Sequence, residues 1–359
     1  MTRDAPNRSG ESAGAAVTVP GAPPIPGLRF RCLAGQADYT GIAQLRVACA
    51  LEDGGSEMPT EADIVNSIQH PVFTDPYRDT VLAEVDGVLV AMQWTTARVI
   101  EGVFVGGLRG YVHPDWRRRG LGGALLAHGE RHARRTVPAE ARSLPGAWQA
   151  EASAEETGAV ALFRTRGYSP FRYAYDMTRD LAEPIPSLPL PPGIEIRPAR
   201  PEHYRAIWEA EREAFEDNWG YTPWPEENYQ RFLGYPHYDP SLWRIAWEGD
   251  QVVGLVLNVV NAEENAAFGR SRGYAEDIAV RRPWRRKGIA SALLADSLSA
   301  LRDRGLAEAA LGVDAENPRA LALYEGLGFK TASEWITFRR PWPDKPRPNE
   351  TAAENPSQG

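Results

Sequence analysis

The chain of 359 residues has only two cysteines, Cys32 and Cys49. That is too few for a disulfide framework, and they lack metal-ligand spacing, so a reducing compartment, the cytoplasm, is expected and no metal site. Histidine is also scarce, at six residues. His128 and His132 stand four apart on a helical pattern, but no third ligand accompanies them and an exposed basic helix face is the preferred reading. No stretch reaches the ~18 consecutive apolar residues that would span a bilayer. The first 26 residues, rich in Gly, Ala, Pro and Ser, hold no apolar run of signal-peptide length. Lysine occurs only at Lys287, Lys330 and Lys345. The formal net charge of -8 works against a protein that holds nucleic acid through its overall field. A soluble protein with neither nucleic-acid nor membrane partner, monomeric or homodimeric, is expected.

What is present is ordinary globular material, 43% hydrophobic and 25% charged, in a chain long enough for two domains. The run EPIPSLPLPPG at 183–193 sustains neither helix nor interior strand, because proline fixes φ and lacks the amide donor. It predicts a linker between domains at 28–182 and 194–340, with disordered tails at 1–27 and 341–359. The same order of elements recurs on each side of the linker. Each half opens with a short alternating strand and an amphipathic helix, then a long loop, a hairpin with an Asp/Gly turn, and a strand that exits through a basic, glycine-containing turn into a helix.

Those exits align without gaps. VHPDWRRRGLGGALL, from Val112, matches VRRPWRRKGIASALL, from Val280, at the Val, Trp, paired Arg, Gly and Leu-Leu positions. In the second copy Ile289, Leu293, Leu294, Leu298 and Leu301 fall on one stripe and Gly305 ends the helix. A second matching block follows in each half, AVALFRTRGY from Ala159 and ALALYEGLGF from Ala320, which reads as a short helix ending in glycine before a strand.

A strand leading through Arg285, Arg286, Lys287 and Gly288 into a helix that begins Ile289-Ala290 gathers unpaired amides at a helix N-terminus, with positive charge around them. Such a turn suits a phosphate or pyrophosphate. With both blocks in order, the sequence resembles the GCN5-related N-acetyltransferase family, whose pyrophosphate loop reads Q/RxxGxG/A. Arg285, Gly288 and Ala290 fit it in the second copy, and Arg117, Gly120 and Gly122 in the first. The block from Asn317 to Phe329 is similar to the family's second signature. The resemblance implies an α/β (α+β) fold, two tandem mixed, mainly antiparallel sheets flanked by helices, with the fourth and fifth strands of each splayed for acetyl-CoA as co-substrate. It further implies that the backbone of Ile278, Ala279 and Val280 pairs with the pantetheine arm, that the amides of Arg286, Lys287, Gly288, Ile289 and Ala290 hold the pyrophosphate, and that Asn317 and Tyr324 face the cofactor.

Amine acetylation from a thioester needs a group to take the ammonium proton and one to assist the leaving thiolate. In the second copy Glu276 is the candidate base and Tyr324 the candidate acid. Asp277, on the opposite face of an ideal strand, is a competing base. The first copy places Leu108 opposite Glu276, Phe163 opposite Tyr324 and Glu156 opposite Asn317, so it is expected to be inactive. Val112, Arg117, Arg118, Arg119, Gly120, Leu121 and Gly122 leave a second CoA site open there. Between Phe215 and Trp243, aromatic residues interleave with carboxylates, and Trp219, Tyr221 and Trp224 are candidates for an acceptor pocket that suits a cationic amine or amino sugar. An aromatic mini-core under a long loop is the alternative. The function expected is transfer of an acetyl group to a small-molecule primary amine in the C-terminal copy. Protein or peptide N-acetylation and a non-catalytic CoA sensor are the rivals.

Overall fold

A computed structural model describes residues 12–55 and 58–343. The first copy runs β1 (Leu28–Cys32), α1 (Tyr39–Asp53), α2 (Glu61–Gln69), α3 (Pro76–Asp79), β2 (Thr80–Val85), β3 (Val88–Ile100), β4 (Val103–Val112), α4 (Leu121–Arg135), β5 (Gly146–Ser153), α5 (Thr157–Thr165) and β6 (Ser169–Asp180). The second runs β7 (Ile194–Arg197), α6 (Tyr204–Phe215), α7 (Glu226–Leu233), β8 (Arg244–Glu248), β9 (Gln251–Val259), α8 (Ala262–Phe268), β10 (Arg272–Val280), α9 (Ile289–Asp303), β11 (Glu308–Asp314), α10 (Pro318–Gly326) and β12 (Lys330–Pro341). The copies share one order of elements, except that α3 precedes β2 in the first and α8 lies between β9 and β10 in the second, and helices flank a mixed, mainly antiparallel sheet. The two parallel contacts are β4 with β5 and β10 with β11.

The core of the second copy follows from the stripe on α9. Leu293, Leu294, Leu298 and Leu301 have no solvent exposure, and they pack on Val253, Val256 and Ala275 of the sheet. Burying each such side chain contributes about 1.5–3 kcal/mol. On the opposite face α6 lays Ile207, Trp208 and Ala214 over Ile245, Leu255 and Leu257. Residues 183–193 form neither helix nor strand, and Ile185 and Leu190 rest against the α9 core.

The copies are not joined end to end as the sequence order suggests. All twelve strands form one sheet in the order β1-β2-β3-β4-β5-β12-β6-β11-β10-β9-β8-β7. The last strand of each copy completes the other: β6 pairs with β11, from Asp180 opposite Glu308 to Ala174 opposite Asp314, and β12 pairs with β5, from Trp335 opposite Ser153 to Pro341 opposite Ala147. The division at 183–193 separates the copies along the chain but not in the sheet.

Before β1, the segment expected within a disordered tail is packed in its described part. Ala16 bridges to Arg31, and Val19 is buried with Leu121 and Leu125. Its scattered valines supply enough apolar surface to cover the α4–sheet junction. Residues 1–11 and 344–359 of the expected tails lie outside the described residues, while Trp342 still packs against Trp148. The histidine pair also departs from expectation. His128 is buried, its pKa pushed down to about 4 chiefly by burial, and His132 Nε2 lies 2.8 Å from Asp79 Oδ1. These face the core because Leu121, Leu125, His128 and His132 share one stripe of α4, with a period of about 3.6 residues.

Candidate active site

The site is built where β10 parts from β11. The two strands pair only from Arg272 opposite Glu308 to Tyr274 opposite Ala310, after which they diverge and open a wedge. On its other edge β10 carries a bulge: the register against β9 passes from Glu276 opposite Leu257 to Ala279 opposite Leu255, leaving one extra residue. Asp277 occupies that bulge in a left-handed conformation, φ 46°. The alternation expected of an ideal strand therefore fails, and Asp277 does not point to the face opposite Glu276: both line the same cavity. Tyr238 donates from its hydroxyl to Asp277 Oδ2 at 3.2 Å.

The exit from β10 is stabilised by Arg285. Its Nε donates to the Val280 carbonyl at 2.9 Å, its other nitrogens to the Ala214 carbonyl at 2.9 Å and to Asp217 at 2.6 Å. Arg282 holds Asp217 from the other side, and the two guanidiniums pull that carboxylate well below its usual range. With its side chain engaged in this way, Arg285 shapes the loop, and the donors left for an anion are backbone amides. Arg286 has φ 62° and Gly288 φ 83°. Left-handed residues on either side of Lys287 turn the successive N–H groups to one side, forming a nest at the start of α9. No atom lies within 4 Å of where a Gly288 Cβ would stand, so the nest is open. Val280, Arg285 and Ala290 belong to the cavity wall. These residues fit a pyrophosphate on chemical grounds: amide donors, a helix N-terminus, and adjacent cations.

Across the wedge, Asn317 immediately precedes α10, and its Oδ1 accepts from the Ala320 amide at 3.2 Å and caps the helix. One turn and more along, Tyr324 is buried, 7% exposed, edge-on to Phe329, and burial pushes its phenol up to about 12. Asn317 and Tyr324 line the same cavity as Glu276. That cavity, of about 1420 Å³, is larger than the ~300–1,000 Å³ of a single small-ligand pocket.

The first copy repeats the frame with different contents. Arg117 donates to the Val112 carbonyl at 3.1 Å and pairs with Asp53 at 2.6 Å, as Arg285 does with Val280 and Asp217. Arg118 and Gly120 repeat the two left-handed positions, with φ 60° and 91°. Here, however, a Gly120 Cβ would stand 3.5 Å from Pro23, and a Gly122 Cβ 3.5 Å from Leu162 of α5. Leu108 and Phe163 are core residues, Phe163 packing on Tyr168 and Phe338. Glu156 accepts from the Ser153 amide at 2.8 Å, and burial raises its pKa.

Both copies line the rest of the cavity. Trp219 lines the cavity, pinned to the first copy by its indole N–H on Glu101 at 3.3 Å and by the Arg172 guanidinium 4.4 Å from its ring centre. Tyr221 and Trp224 are outside the lining: Trp224 packs with Trp208 and Phe215, and Tyr221 with Trp224, the mini-core arrangement. Sequence reasoning missed the first copy's share. His237 Nε2 meets Asp63 Oδ2 at 2.9 Å, Asn66 Nδ2 donates to the Arg231 carbonyl at 3.0 Å, and Asp63, Asn66 and His237 all line the cavity. It also missed Glu211, a buried carboxyl on the apolar face of α6. The signal was legible there, since Ile207, Glu211 and Ala214 fall on one stripe.

A wedge at a parallel strand pair beside an amide nest is the arrangement that the resemblance implied, and comparison with known proteins gives the family. The Acetyltransferase (GNAT) family model matches residues 204–329, and the Acetyltransferase (GNAT) domain model matches residues 76–170. A mycothiol acetyltransferase of Thermobispora bispora is 33% identical over 231 residues, 64% of this chain and 74% of that protein. One from Geodermatophilus obscurus is 28% identical over 309 residues, covering 83% and 92%. Among solved structures, a GCN5-related N-acetyltransferase from Sphaerobacter thermophilus is 30% identical, with TM-score 0.63, covering 88% of this chain and 95% of that one. A tandem GNAT protein from the clavulanic acid biosynthesis pathway shares the fold at TM-score 0.62 and 19% identity, covering 89% and 100%. The chain belongs to the GNAT acetyltransferase family. It is a tandem GNAT N-acetyltransferase, similar to the mycothiol acetyltransferases.

Proposed function

We propose that this protein transfers the acetyl group of acetyl-CoA to a primary amine of a small molecule, an amino sugar or similar compound, in the cavity of the C-terminal copy. The observation that carries this reading is that Glu276, Asn317 and Tyr324 line one cavity with Val280 and Ala290 at the nest. Bound acetyl-CoA supplies the activated acyl carbon. The backbone at 278–280 aligns the pantetheine arm, and the amides of residues 286–290 hold the diphosphate. Glu276, exposed on the cavity wall, takes the proton of the amine directly or through water. Tyr324 donates a hydrogen bond to the sulfur as charge develops there. Holding amine and carbonyl together supplies much of the acceleration.

The acceptor class is supported by the walls. Glu276 places a carboxylate on the wall, while Trp219, with the Arg172 guanidinium against its ring, closes one side. A cavity walled by two copies suits a compact polar amine, and the mycothiol acetyltransferase relatives fit a small acceptor. The first copy is silent in this account, because core residues Leu108 and Phe163 replace both proton carriers. The test is release of free thiol from acetyl-CoA with a panel of amines and amino sugars, for the wild type and Glu276→Gln. Release with a subset of small amines, abolished in Glu276→Gln with CoA still bound, is the expected outcome. No release with any amine, but retained CoA binding, would replace the enzyme reading with a sensor.

A further inference from the structure

Among the described residues, no ladder pairing joins β10 to β11 beyond Tyr274 opposite Ala310. The width of the wedge past that point is therefore set from outside the strand pair. Two chain exits face each other there, that of β10 at Arg285 and that of β11 from Asp314 to Asn317, and all three residues line the cavity. On the β10 side, Asp217 accepts from Arg285 at 2.6 Å and from Arg282 at 2.8 Å. On the β11 side, Arg172 of the first copy donates to Asp314 and to Glu316, each at 2.6 Å, just ahead of the Asn317 cap. The two holds meet on Trp219, two residues after Asp217. Its ring centre lies 4.4 Å from the Arg172 guanidinium and 5.7 Å from the Phe171 ring, and Arg339 covers Phe171 at 3.8 Å. The indole N–H reaches Glu101, which follows β3, at 3.3 Å. Asp217 and Trp219 are joined by a tight turn, with the Asn218 amide on the Phe215 carbonyl at 2.9 Å and the Tyr221 amide on the Asn218 carbonyl at 3.1 Å.

We propose that Trp219 and Arg172 are positioning residues that, through Asp217, brace the β10 exit against the β11 exit and hold the wedge at the width acetyl-CoA needs, so that the silent first copy is the anchor of the second copy's cofactor site. This rests on the cofactor site assigned above. The Arg285 and Asp217 side chains are 36% and 44% exposed. An ion pair so open to water fixes little by itself, because solvent screens it and two long side chains must be ordered to make it. Docking Trp219 between Phe171 and Arg172 orders the loop in advance, so the Asp217 carboxylate already stands where Arg285 needs it. Arg172 serves both sides at once, since the guanidinium that covers the indole is the one that pairs with Asp314 and Glu316. Without the dock, Asp217 leaves with its loop, and Arg285 keeps only the Val280 and Ala214 carbonyls. The turn that carries the amide nest then loses its tie to the opposite wall.

Calorimetric titration of CoA and steady-state kinetics test this on the full-length wild type, Trp219→Ala, Asp217→Asn, their double variant, Arg172→Gln and Trp219→Phe, with folding checked by circular dichroism. Trp219→Ala, Asp217→Asn and Arg172→Gln should each raise the CoA dissociation constant about three- to tenfold, the scale of an exposed ion-pair network withdrawn from a binding turn. The double variant should lose no more than the worse single variant, because both changes break one brace. Trp219→Phe keeps a ring between Phe171 and Arg172 and should bind CoA within about twofold of the wild type. If Trp219→Ala does not fold, Arg172→Gln combined with Asp217→Asn closes the same cycle. Losses that multiply in the double variant would overturn the proposal. So would a raised amine KM with unchanged CoA affinity in Trp219→Ala, which would make Trp219 a wall of the acceptor pocket alone. CoA bound by no form would sink the cofactor assignment and the brace with it. CoA bound without acetylation of any amine would sink only the enzyme reading, and the titrations would still decide the brace.

Discussion

Replacing Tyr324 with phenylalanine separates two roles that a tyrosine beside a leaving thiolate can play. With the phenol pushed up to about 12 and a thiol near ~8.5, the tyrosine is the weaker acid by about 3.5 pH units, or roughly 5 kcal/mol. Burial is the whole cause of that rise, so the group stays neutral and a hydrogen donor through the working range. Complete proton transfer to sulfur is uphill by that amount, whereas a hydrogen bond to a developing anion contributes about 1.5–3 kcal/mol. Tyr324→Phe should therefore lower kcat by about 10- to 150-fold. The acetyl-CoA dissociation constant should hold within about twofold, because Phe keeps the contact with Phe329. Stopped-flow thiol release at saturating amine, with calorimetric titration of CoA, measures both. A loss beyond about 10⁴-fold, or disappearance of the alkaline limb of the pH profile in the variant, would show that the phenol is a true proton donor and refute this argument. Equal losses in kcat and CoA affinity would show that the residue only packs.

Three further outcomes follow from the architecture. Truncation after residue 329 removes β12 from the middle of the sheet, so circular dichroism should find no cooperative melting in the product, nor in an isolated 28–182 fragment. A cooperatively folded fragment would contradict the strand exchange. Arg285→Ala removes the brace between Val280, Ala214 and Asp217, and should raise the acetyl-CoA KM about tenfold or more with a smaller change in kcat, measured by steady-state kinetics. Asp79, 5% exposed and held by His132 and Arg78, has its pKa pushed down to about 2. A depressed carboxylate stabilises above its unfolded value, so its contribution of about 2 kcal/mol is complete above about pH 4 and is lost as pH falls towards 2. In urea denaturation, Asp79→Asn should lose that amount at pH 7 and almost nothing at pH 2.

The tandem fold was legible because its punctuation is local. Gly120 and Gly288 are needed where the chain turns left-handed into a helix, and the leucines after Gly288 fall at helical spacing whatever surrounds them. Strand exchange left no such mark. β6 and β12 carry the same kind of alternating pattern, and which neighbour each chooses is decided by distant pairings such as Glu308 with Asp180. Asp277 was placed on the wrong face because one extra residue in β10 breaks period-two counting, and a bulge has no strong sequence signal without glycine. The aromatic run after Phe215 was visible as a cluster, but only the fold separates Trp219 on the cavity from Trp224 in the core. Asp63 and His237 are 174 residues apart along the chain, too far for any motif to join.

The central claim is that the turn at 285–290 seats the cofactor so that its reactive end reaches the phenol of Tyr324. A crystal structure of the full-length protein with CoA tests it most directly. The account expects the diphosphate on the amides of residues 286–290, the sulfur within hydrogen-bonding distance of the Tyr324 hydroxyl, and no CoA on the turn at 117–122. CoA bound at the first copy's turn alone, or a Tyr324 hydroxyl directed into the apolar core away from the sulfur, would contradict it.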